Sequence, residues 1–168
     1  KRVLFLVDRN NLGKQAEGEF GTFRLTENGD PFNTIFGVER LKTAKIPNDV
    51  NVVISTIQRL FSLLSGDDFI DDDNEADYVV DGTRNMNLPV HPNLPPDYFD
   101  LIIIDECHRS IYGSWRSVLE YFSSAKMIGL TATPAVETLA FFNNNLIVNY
   151  TLEKSIVDGV NVDYRVFR

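Results

Sequence analysis

The chain has 168 residues, of which 43% are hydrophobic and 11% aromatic, so it is long and apolar enough to form a globular core and is not disordered. Its net charge of −8 arises in residues 51–100, which hold two basic and ten acidic residues, so charge gives no support for nucleic-acid binding. No apolar run is long enough to span a membrane, and one cysteine with two histidines excludes an internal disulfide, argues against structural zinc and favours the reducing cytoplasm.

Four apolar runs have the character of buried strands: residues 3–7 (VLFLV), 52–54 (VVI), 101–104 (LIII) and 127–130 (MIGL). The runs are continuous rather than alternating, which is typical of parallel strands covered on both faces. The first run follows Lys1 almost directly, and we interpret this start as that of a fragment of a longer protein.

Helical patterns lie between and after these strands. Ser114 is a predicted N-cap, and Pro134 is predicted to open a helix over residues 135–142. A fifth strand is predicted at 146–150 (LIVNY), and 162–167 (VDYRVF) is a weaker candidate. Two apolar stripes have the i, i+3, i+4, i+7 spacing of helices that pack on a sheet: Ile57, Leu60, Phe61 and Leu64, and Trp115, Val118, Leu119 and Phe122.

Residues 66–97 form a predicted insertion rich in Asp, Asn and Pro. Its segment 67–77 is strongly acidic and has little apolar content, so we expect a solvated, mobile loop that is dispensable for folding. Residues 87–96 (NLPVHPNLPP) are its predicted extended exit arm. Around this insertion, the alternation of strands and helices predicts an α/β domain with a mostly parallel sheet between two helical layers.

Each of the four apolar runs ends in polar residues: DRNN at 8–11, STIQ at 55–58, DECH at 105–108 and TATP at 131–134. The carboxyl ends of parallel strands lie along one edge of a sheet, and open α/β sheets bind ligands there. The sequence therefore predicts that these polar segments converge on a ligand site.

Two adjacent acids, Asp105 and Glu106, follow the buried run 101–104 directly. Two carboxylates at the end of a buried strand require a positive partner, since an unpaired buried carboxylate is costly. Nucleoside triphosphate hydrolysis supplies one, because the aspartate can hold Mg²⁺ through water while the glutamate orients the attacking water. The pair by itself could also be structural, and the TATP segment one strand later strengthens the catalytic interpretation.

These segments resemble known motifs. DECH and LTATP resemble motifs II and III of superfamily 2 helicases and translocases, VDRNNLGKQ resembles their motif Ia, and VVISTIQRL resembles the DNA-contacting motif that follows. FDLIIIDECHRSIYGSWRSVLEYF and YTLEKSIVDGVNVDY resemble the motor region of type I restriction enzyme R (HsdR) subunits. The resemblance runs over residues 1–168 and is weakest in the acidic insertion. It implies part of a first RecA-like (P-loop NTPase) domain, from motif Ia to just after motif III, without the phosphate-loop strand.

The resemblance also implies roles for individual residues. Asp105 would hold the Mg²⁺ of bound ATP, Glu106 would be the catalytic base, and His108 would link the nucleotide site to motif III or to a second motor domain. Thr131 and Thr133 would couple hydrolysis to DNA movement. Six residues would lie along the nucleic-acid track, where hydroxyls, amides and backbone N–H groups contact phosphates: Asp8, Arg9, Asn10, Ser55, Thr56 and Gln58.

The function implied is ATP-dependent translocation of double-stranded DNA before cleavage, in a cytoplasmic complex with methyltransferase and specificity subunits. Two alternatives remain open. The chain could belong to another superfamily 2 motor, such as a type III restriction subunit or a repair helicase. It could also be a catalytically silent interaction domain of motor ancestry, although an intact pair at Asp105 and Glu106 argues against a silent site.

Structural roles compete with functional ones at several positions. Ser55 and Thr56 could simply cap the helix after them, and Arg9 could simply pair with a nearby carboxylate. Cys107 is expected to be a packed small residue rather than a nucleophile, and the spacing of Trp115 favours a place in the core over a base-stacking platform.

No G-x-x-x-x-G-K-[ST] phosphate loop occurs in the sequence. The nearest candidate is DRNNLGKQ, but Asp8 stands where the first glycine belongs, and Gln15 replaces the hydroxyl residue that binds Mg²⁺. An aspartate in that place would repel phosphate, so we reject the segment as a phosphate loop. The chain alone is therefore expected to hydrolyse ATP no faster than background.

Overall fold

A five-stranded parallel sheet forms the centre of the computed structural model, which describes residues 1–67 and 87–162. Its strands are β1 (Val3–Val7), β2 (Val38–Arg40), β3 (Val52–Thr56), β4 (Leu101–Ile104) and β5 (Lys126–Gly129). They are arranged in the order β2-β3-β1-β4-β5, and every neighbouring pair is parallel. The predicted fold class, a RecA-like α/β domain, is confirmed.

Helices follow the strands along the chain. They are α1 (Asn10–Thr22), α2 (Phe32–Ile35), α3 (Ile57–Ser65), α4 (Gly113–Tyr121), α5 (Val136–Phe141) and α6 (Leu152–Val157), with a short 3₁₀ turn at Cys107–Arg109. No helix in the described ranges is long and apolar enough to cross a bilayer.

The two faces of the sheet carry different helices. Leu4 and Leu6 of β1 are buried in one hydrophobic cluster with the apolar stripes of α3 and α4. Phe5 points to the opposite face, where its ring meets Phe20 of α1 at a centroid distance of 6.2 Å. Because alternate residues of a strand point to opposite faces, one apolar run supplies both layers. Each fully buried Leu or Ile stabilises the fold by roughly 1.5–3 kcal/mol.

Trp115 lies against the core, as its spacing predicted. Its ring packs edge-on against Phe61 of α3 at 5.7 Å, and this contact joins α3 to α4.

The face that carries α1 is only partly covered. An apolar groove of about 490 Å³ lies there between β1 and α1, lined by Phe5, Phe20, Phe23 and Phe32 among others, with Asp105 at its rim. Ile128 of β5 is 41% exposed. The sequence predicted strands covered on both faces, and for the face of β5 that carries Ile128 this is wrong.

Several predicted element boundaries differ from the structure. Ser114 does not cap α4; the N-cap is Tyr112, and Ser114 is buried inside the first turn. Pro134 precedes the N-cap of α5, Ala135, instead of occupying the first turn. Residues 146–150 form no strand, because this apolar segment has no neighbouring strand among the described residues to share hydrogen bonds with.

The acidic insertion is described only in part. Residues 68–86 lie outside the described residues, as does most of the strand candidate 162–167. The exit arm is not extended throughout, because it turns at residues 92–93, where the Leu94 N–H donates to the His91 carbonyl at 3.2 Å. The arm is anchored, since the Tyr121 hydroxyl donates to the Leu94 carbonyl at 2.7 Å and accepts from the His91 N–H at 3.0 Å. Leu94 itself is buried, so the arm adds to the core.

A buried arginine fixes α1 to the edge of the sheet. Arg40 of β2 donates to Glu17 at 3.1 Å and to Asn10 at 2.7 Å, and Lys42 donates to the other oxygen of Glu17 at 2.8 Å. Burial alone would raise the pKa of the Glu17 carboxyl, but hydrogen bonds and charge from Lys42 and Arg40 outweigh it and hold that pKa below its usual value of 4.5.

Glu17→Gln should therefore lower stability at neutral pH by roughly 0.5–1 kcal/mol, the range of a solvent-screened ion pair. Because the folded pKa is depressed, this contribution is present above about pH 4.5 and is lost as pH falls through the folded pKa. Urea unfolding from pH 7 to 3 should show the two proteins converging in acid. Glu19→Gln, which removes an exposed carboxylate from the same helix, is the control, and an equal loss at every pH would contradict the prediction.

Candidate functional site

The polar strand ends meet at one edge of the sheet, as predicted. The Asp105 N–H donates to the Leu6 carbonyl at 2.8 Å, and the Leu130 N–H donates to the Ile104 carbonyl at 2.8 Å. The ladder thus continues past the last strand residues. It aligns the segments that follow β1, β4 and β5 side by side, and the DECH and TATP segments become neighbours.

The acid pair occupies a strained turn. Glu106 has φ 47° and ψ 46°, a left-handed conformation that costs a non-glycine residue on the order of 1 kcal/mol. The Asp105 carboxylate accepts the Glu106 N–H at 3.1 Å, and the Glu106 carbonyl accepts the Arg109 N–H at 2.9 Å. These bonds hold the turn and leave the Glu106 side chain 40% exposed at the edge.

His108 joins this turn to the TATP segment. Its Nδ1 lies 2.9 Å from the Thr131 hydroxyl and 3.4 Å from a Glu106 carboxylate oxygen. The Thr131 hydroxyl also accepts the Thr133 N–H at 3.1 Å. Sequence reasoning assigned a linking role to His108 and a coupling role to both threonines. The structure joins His108, Thr131 and Thr133 by hydrogen bonds and places Glu106 within 3.4 Å of the same His108 nitrogen.

Cys107 points away from the edge into the core. It is 1% exposed, and burial raises the pKa of its thiol, with the neighbouring Glu106 and Asp105 carboxylates adding to the shift. A buried, protonated thiol is neither a nucleophile nor a metal ligand, so the prediction that Cys107 is a packing residue is confirmed.

Gly129 lets this turn sit close to β5. A Cβ at that position would lie 2.6 Å from the Phe142 ring and 2.8 Å from the Cys107 sulfur. Gly129→Ala should therefore destabilise the protein by about 1–3 kcal/mol through overpacking, measured by urea unfolding. Gly18→Ala is the control, since nothing lies within 4 Å of its Cβ and the change should be neutral or stabilising. Equal stability of both variants would contradict this packing.

A cavity of about 530 Å³ opens at the same edge. It is lined by residues that follow three different strands, including Asp8, Arg9, Glu106, His108 and Thr133. Glu106, His108 and the N-terminal end of α1 therefore face one space, whereas Asp105 lines the apolar groove beside α1.

The residues predicted to lie along a nucleic-acid track fall into two groups. Arg9 is largely exposed, with 69% of its side chain accessible, while the Asp8 carboxylate is 16% exposed and lies 3.4 Å from the Arg9 Nε. Asp8 also forms an ion pair with Arg109. Together these three residues carry one net positive charge, which the Glu106 carboxylate on the same cavity balances, and the Asp8 carboxylate would repel phosphate if it were unpaired.

The other predicted track residues serve the protein itself in this structure. Asn10 accepts from Arg40, Ser55 is buried and donates to the Thr56 carbonyl at 3.0 Å, and the Thr56 hydroxyl accepts the Arg59 N–H at 3.5 Å as the N-cap of α3. Of the two residues for which capping was the structural alternative, Thr56 caps α3 and Ser55 does not. Gln58 has a buried side-chain oxygen with no hydrogen-bond partner.

Arg109 is the functional candidate that sequence reasoning missed. Its partner Asp8 lies 101 positions away, so no local pattern connects them. The available signal was a cation placed directly after the acid-rich DECH segment.

Mg²⁺ with ATP fits the Asp105 site by its donor set. In the described part of the chain Asp105 has no ion pair, and no cluster of three or more metal-ligating side chains occurs. A dedicated protein cage is therefore not built there. One carboxylate, with water and phosphate oxygens completing the shell, is the way proteins commonly hold Mg²⁺ beside a nucleotide.

Comparison with known proteins places this architecture in a family. Residues 1–136 match the family model described as "Type III restriction enzyme, res subunit". The chain belongs to this family. Its res-subunit segment contains β1 to the start of α5, and therefore the acid pair, the histidine link and the whole sheet.

Individual relatives of this res-family chain are type I restriction enzyme subunits. The EcoAI endonuclease subunit of Escherichia coli is 34% identical over 177 residues, covering 100% of this chain and 18% of the relative. The EcoKI endonuclease subunit of E. coli K12 is 32% identical over 183 residues, covering 97% and 13%. The SauMSSORF170P endonuclease subunit of Staphylococcus aureus MSSA476 is 29% identical, covering 98% and 16%. The resemblance to type I R subunits is confirmed, and the chain spans less than a fifth of these relatives' length.

Proposed function

We propose that this chain is part of the ATP-hydrolysing motor domain of a DNA translocase, in the R subunit of a type I restriction endonuclease. The observation that carries the proposal is the chain of contacts Glu106–His108–Thr131 beside Asp105 at the carboxyl edge of a parallel sheet. An acid pair linked in this way to the next strand can report the state of a bound nucleotide to the rest of the domain.

In this proposal Glu106 orients the attacking water and accepts its proton. The strained turn sets the direction of the carboxylate, and one of its oxygens lies 3.4 Å from the His108 Nδ1. Asp105 would bind the Mg²⁺ of ATP, which supplies charge neutralisation at the phosphates. Thr131 and Thr133 follow β5 and would transmit the change in His108 when the nucleotide is hydrolysed.

The nucleic-acid side of the site is the N-terminal end of α1. Arg9 is exposed there, with 69% of its side chain accessible, so it can offer a cation to phosphate although the chain's net charge is −8. Backbone phosphates of double-stranded DNA are the fitting ligand, since such contacts fix position without reading sequence. Ser55, Thr56, Asn10 and Gln58 would contribute only through rearrangement of their present hydrogen bonds.

The longer protein would supply what this sequence lacks, namely the phosphate loop that cradles ATP. We propose that the parent works in the cytoplasm with methyltransferase and specificity subunits, moving DNA before cleaving it. The chain by itself should therefore hydrolyse Mg²⁺·ATP at the background rate, with or without DNA. A DNA-stimulated rate from the chain alone would show that its nucleotide site is complete.

The test of the proposed function is DNA-stimulated phosphate release by the full-length complex, followed together with displacement of a triplex-forming strand from linear duplex DNA. Hydrolysis with strand displacement supports a translocase. Hydrolysis that needs DNA but displaces no triplex would favour a different superfamily 2 motor. The family description names a type III res subunit, which makes that restriction class the first alternative to test. Binding without any hydrolysis would favour a silent interaction domain.

A further inference from the structure

One carboxylate at the edge of the sheet is shared by two arginines from distant parts of the chain. Arg9 and Arg109 both approach Oδ2 of Asp8, Arg9 at 3.4 Å and Arg109 more closely. Arg9 is the N-cap residue of α1, and its carbonyl accepts the Leu12 and Gly13 N–H groups at 3.0 and 3.2 Å. The shared carboxylate thus lies between the start of α1 and the 3₁₀ turn.

Arg109 is bonded rigidly to the catalytic turn. Its backbone N–H donates to the Glu106 carbonyl at 2.9 Å, and it ends the 3₁₀ turn that contains His108. The backbone of Arg109 is therefore hydrogen-bonded to the residue whose own backbone is in a strained conformation, so the side-chain pairing of Arg109 and the Glu106 turn share one short segment. Glu106 is the side chain whose position the proposed hydrolysis depends on.

The two arginines differ in accessibility. Arg9 has 69% of its side chain exposed, Arg109 has 50%, and the carboxylate between them has 16%. A phosphate that binds Arg9 competes with the Asp8 carboxylate, because both anions accept hydrogen bonds from the N–H groups of the same guanidinium. Asp8 would then pair with Arg109 alone, and the ion pair between Asp8 and the 3₁₀ turn would become stronger.

We propose that Arg109 is a positioning residue that couples DNA contact at the start of α1 to the placement of Glu106. This inference rests on the proposed function and adds a route between its two ligands. The route consists of the α1 N-terminus, Asp8, Arg109 and the Glu106 turn. Arg109 touches neither nucleotide nor DNA in this scheme; it acts through Glu106.

The test uses the full-length enzyme complex and compares Arg109→Gln, Arg109→Lys and the control Arg116→Gln. Arg116 forms an exposed ion pair with Glu120 within α4 at 2.6 Å, so its loss removes a similar surface pair away from the edge. Three quantities are measured: the ATP hydrolysis rate without DNA, the rate with saturating DNA, and the ATP concentration that gives half the maximal rate. Thermal midpoints are compared to establish that each variant is folded.

For Arg109→Gln we expect the ratio of DNA-stimulated to DNA-free rate to fall about five-fold or more, with half-saturating ATP changed less than about two-fold. Arg109→Lys, which keeps a cation near Asp8, should recover most of the stimulation, and Arg116→Gln should match the wild type. A purely structural defect would lower both rates and the thermal midpoint together, so the ratio separates the two roles.

A normal ratio in Arg109→Gln would overturn the coupling while leaving the proposed function intact. Equal loss in the Gln and Lys variants would overturn the ion-pair route, and an equal fall of both rates would assign Arg109 to hydrolysis itself. A wild type without DNA-stimulated hydrolysis would overturn both proposals. If Arg109→Gln does not fold, Arg109→Met, which keeps the aliphatic part of the side chain and removes the charge, takes its place; a reduced ratio then supports the coupling, and full stimulation overturns it.

Discussion

Replacing Glu106 by Gln in the full-length protein should slow DNA-stimulated ATP hydrolysis by about 10²- to 10⁴-fold, the usual contribution of one general base. Gln keeps the length and shape of the side chain and still allows contact with His108, whose Nδ1 lies 3.4 Å from the Glu106 carboxylate. It cannot accept the proton of the attacking water. Nucleotide affinity should therefore change little while turnover falls, and translocation should fall with it.

Single-turnover phosphate release and binding of a fluorescent ATP analogue, measured on the same preparation, separate these effects. Glu120→Gln is the matched control, because Glu120 is an exposed glutamate of α4 whose partner is Arg116. A wild-type hydrolysis rate in Glu106→Gln would remove Glu106 from the mechanism. A large loss of nucleotide binding with turnover preserved would assign the carboxylate to binding instead.

Asp105→Ala in the full-length protein should reduce ATP hydrolysis to the background rate, and with it translocation and DNA cleavage. The carboxylate is the proposed Mg²⁺ ligand, and without it the charge on the phosphates is left uncompensated in the site. The same change removes the acceptor of the Glu106 N–H, so the strained turn also loses a bond of 3.1 Å. Loss of metal affinity should dominate, since one backbone hydrogen bond contributes only about 1 kcal/mol.

Titration of hydrolysis with Mg²⁺ distinguishes these two causes. A weakened metal site should be partly rescued at high Mg²⁺, and a collapsed turn should not. Asp100→Ala is the control. Asp100 precedes β4 and therefore lies at the opposite end of that strand from Asp105, where its carboxylate accepts the Arg2 N–H at 2.7 Å. Hydrolysis at the wild-type rate in Asp105→Ala would exclude the proposed metal role.

Strands and helices with a strong apolar pattern were predictable from the sequence. Those that form mainly because of their tertiary contacts were not. The strand cores at 3–7, 52–54 and 101–104 were read correctly because strands buried on a parallel sheet need continuous apolar residues. Helix α1 was missed because it contains three glycines and few apolar residues, which lowers its helical propensity. Strand β2 has only three residues and owes its place to pairing with β3.

The error at 146–150 has a different origin. The segment LIVNY has the composition of a strand, and its apolar side chains are exposed in the structure, with Ile147 78% accessible. A strand is stable only when its backbone groups pair with a neighbouring strand, and the composition of a segment does not show whether such a strand lies beside it. Thr56 shows the reverse case, since capping depends on adjacent residues and was readable from the sequence.

By itself, the sequence determined the fold class, the edge of the sheet on which the polar residues lie, and the acid pair with its DECH and TATP context. These follow from local order along the chain, because the end of each apolar run fixes the end of each parallel strand. Only the tertiary structure decided the partners of the charged residues. It joined Asn10 to Arg40 and Asp8 to Arg109 across 101 positions, and it placed His108 against Thr131 of the TATP segment, one of the two partners that the sequence had left open. The physical reason is that an ion pair or hydrogen bond depends on distance in space, and side chains far apart in sequence meet only when the sheet brings their strand ends together.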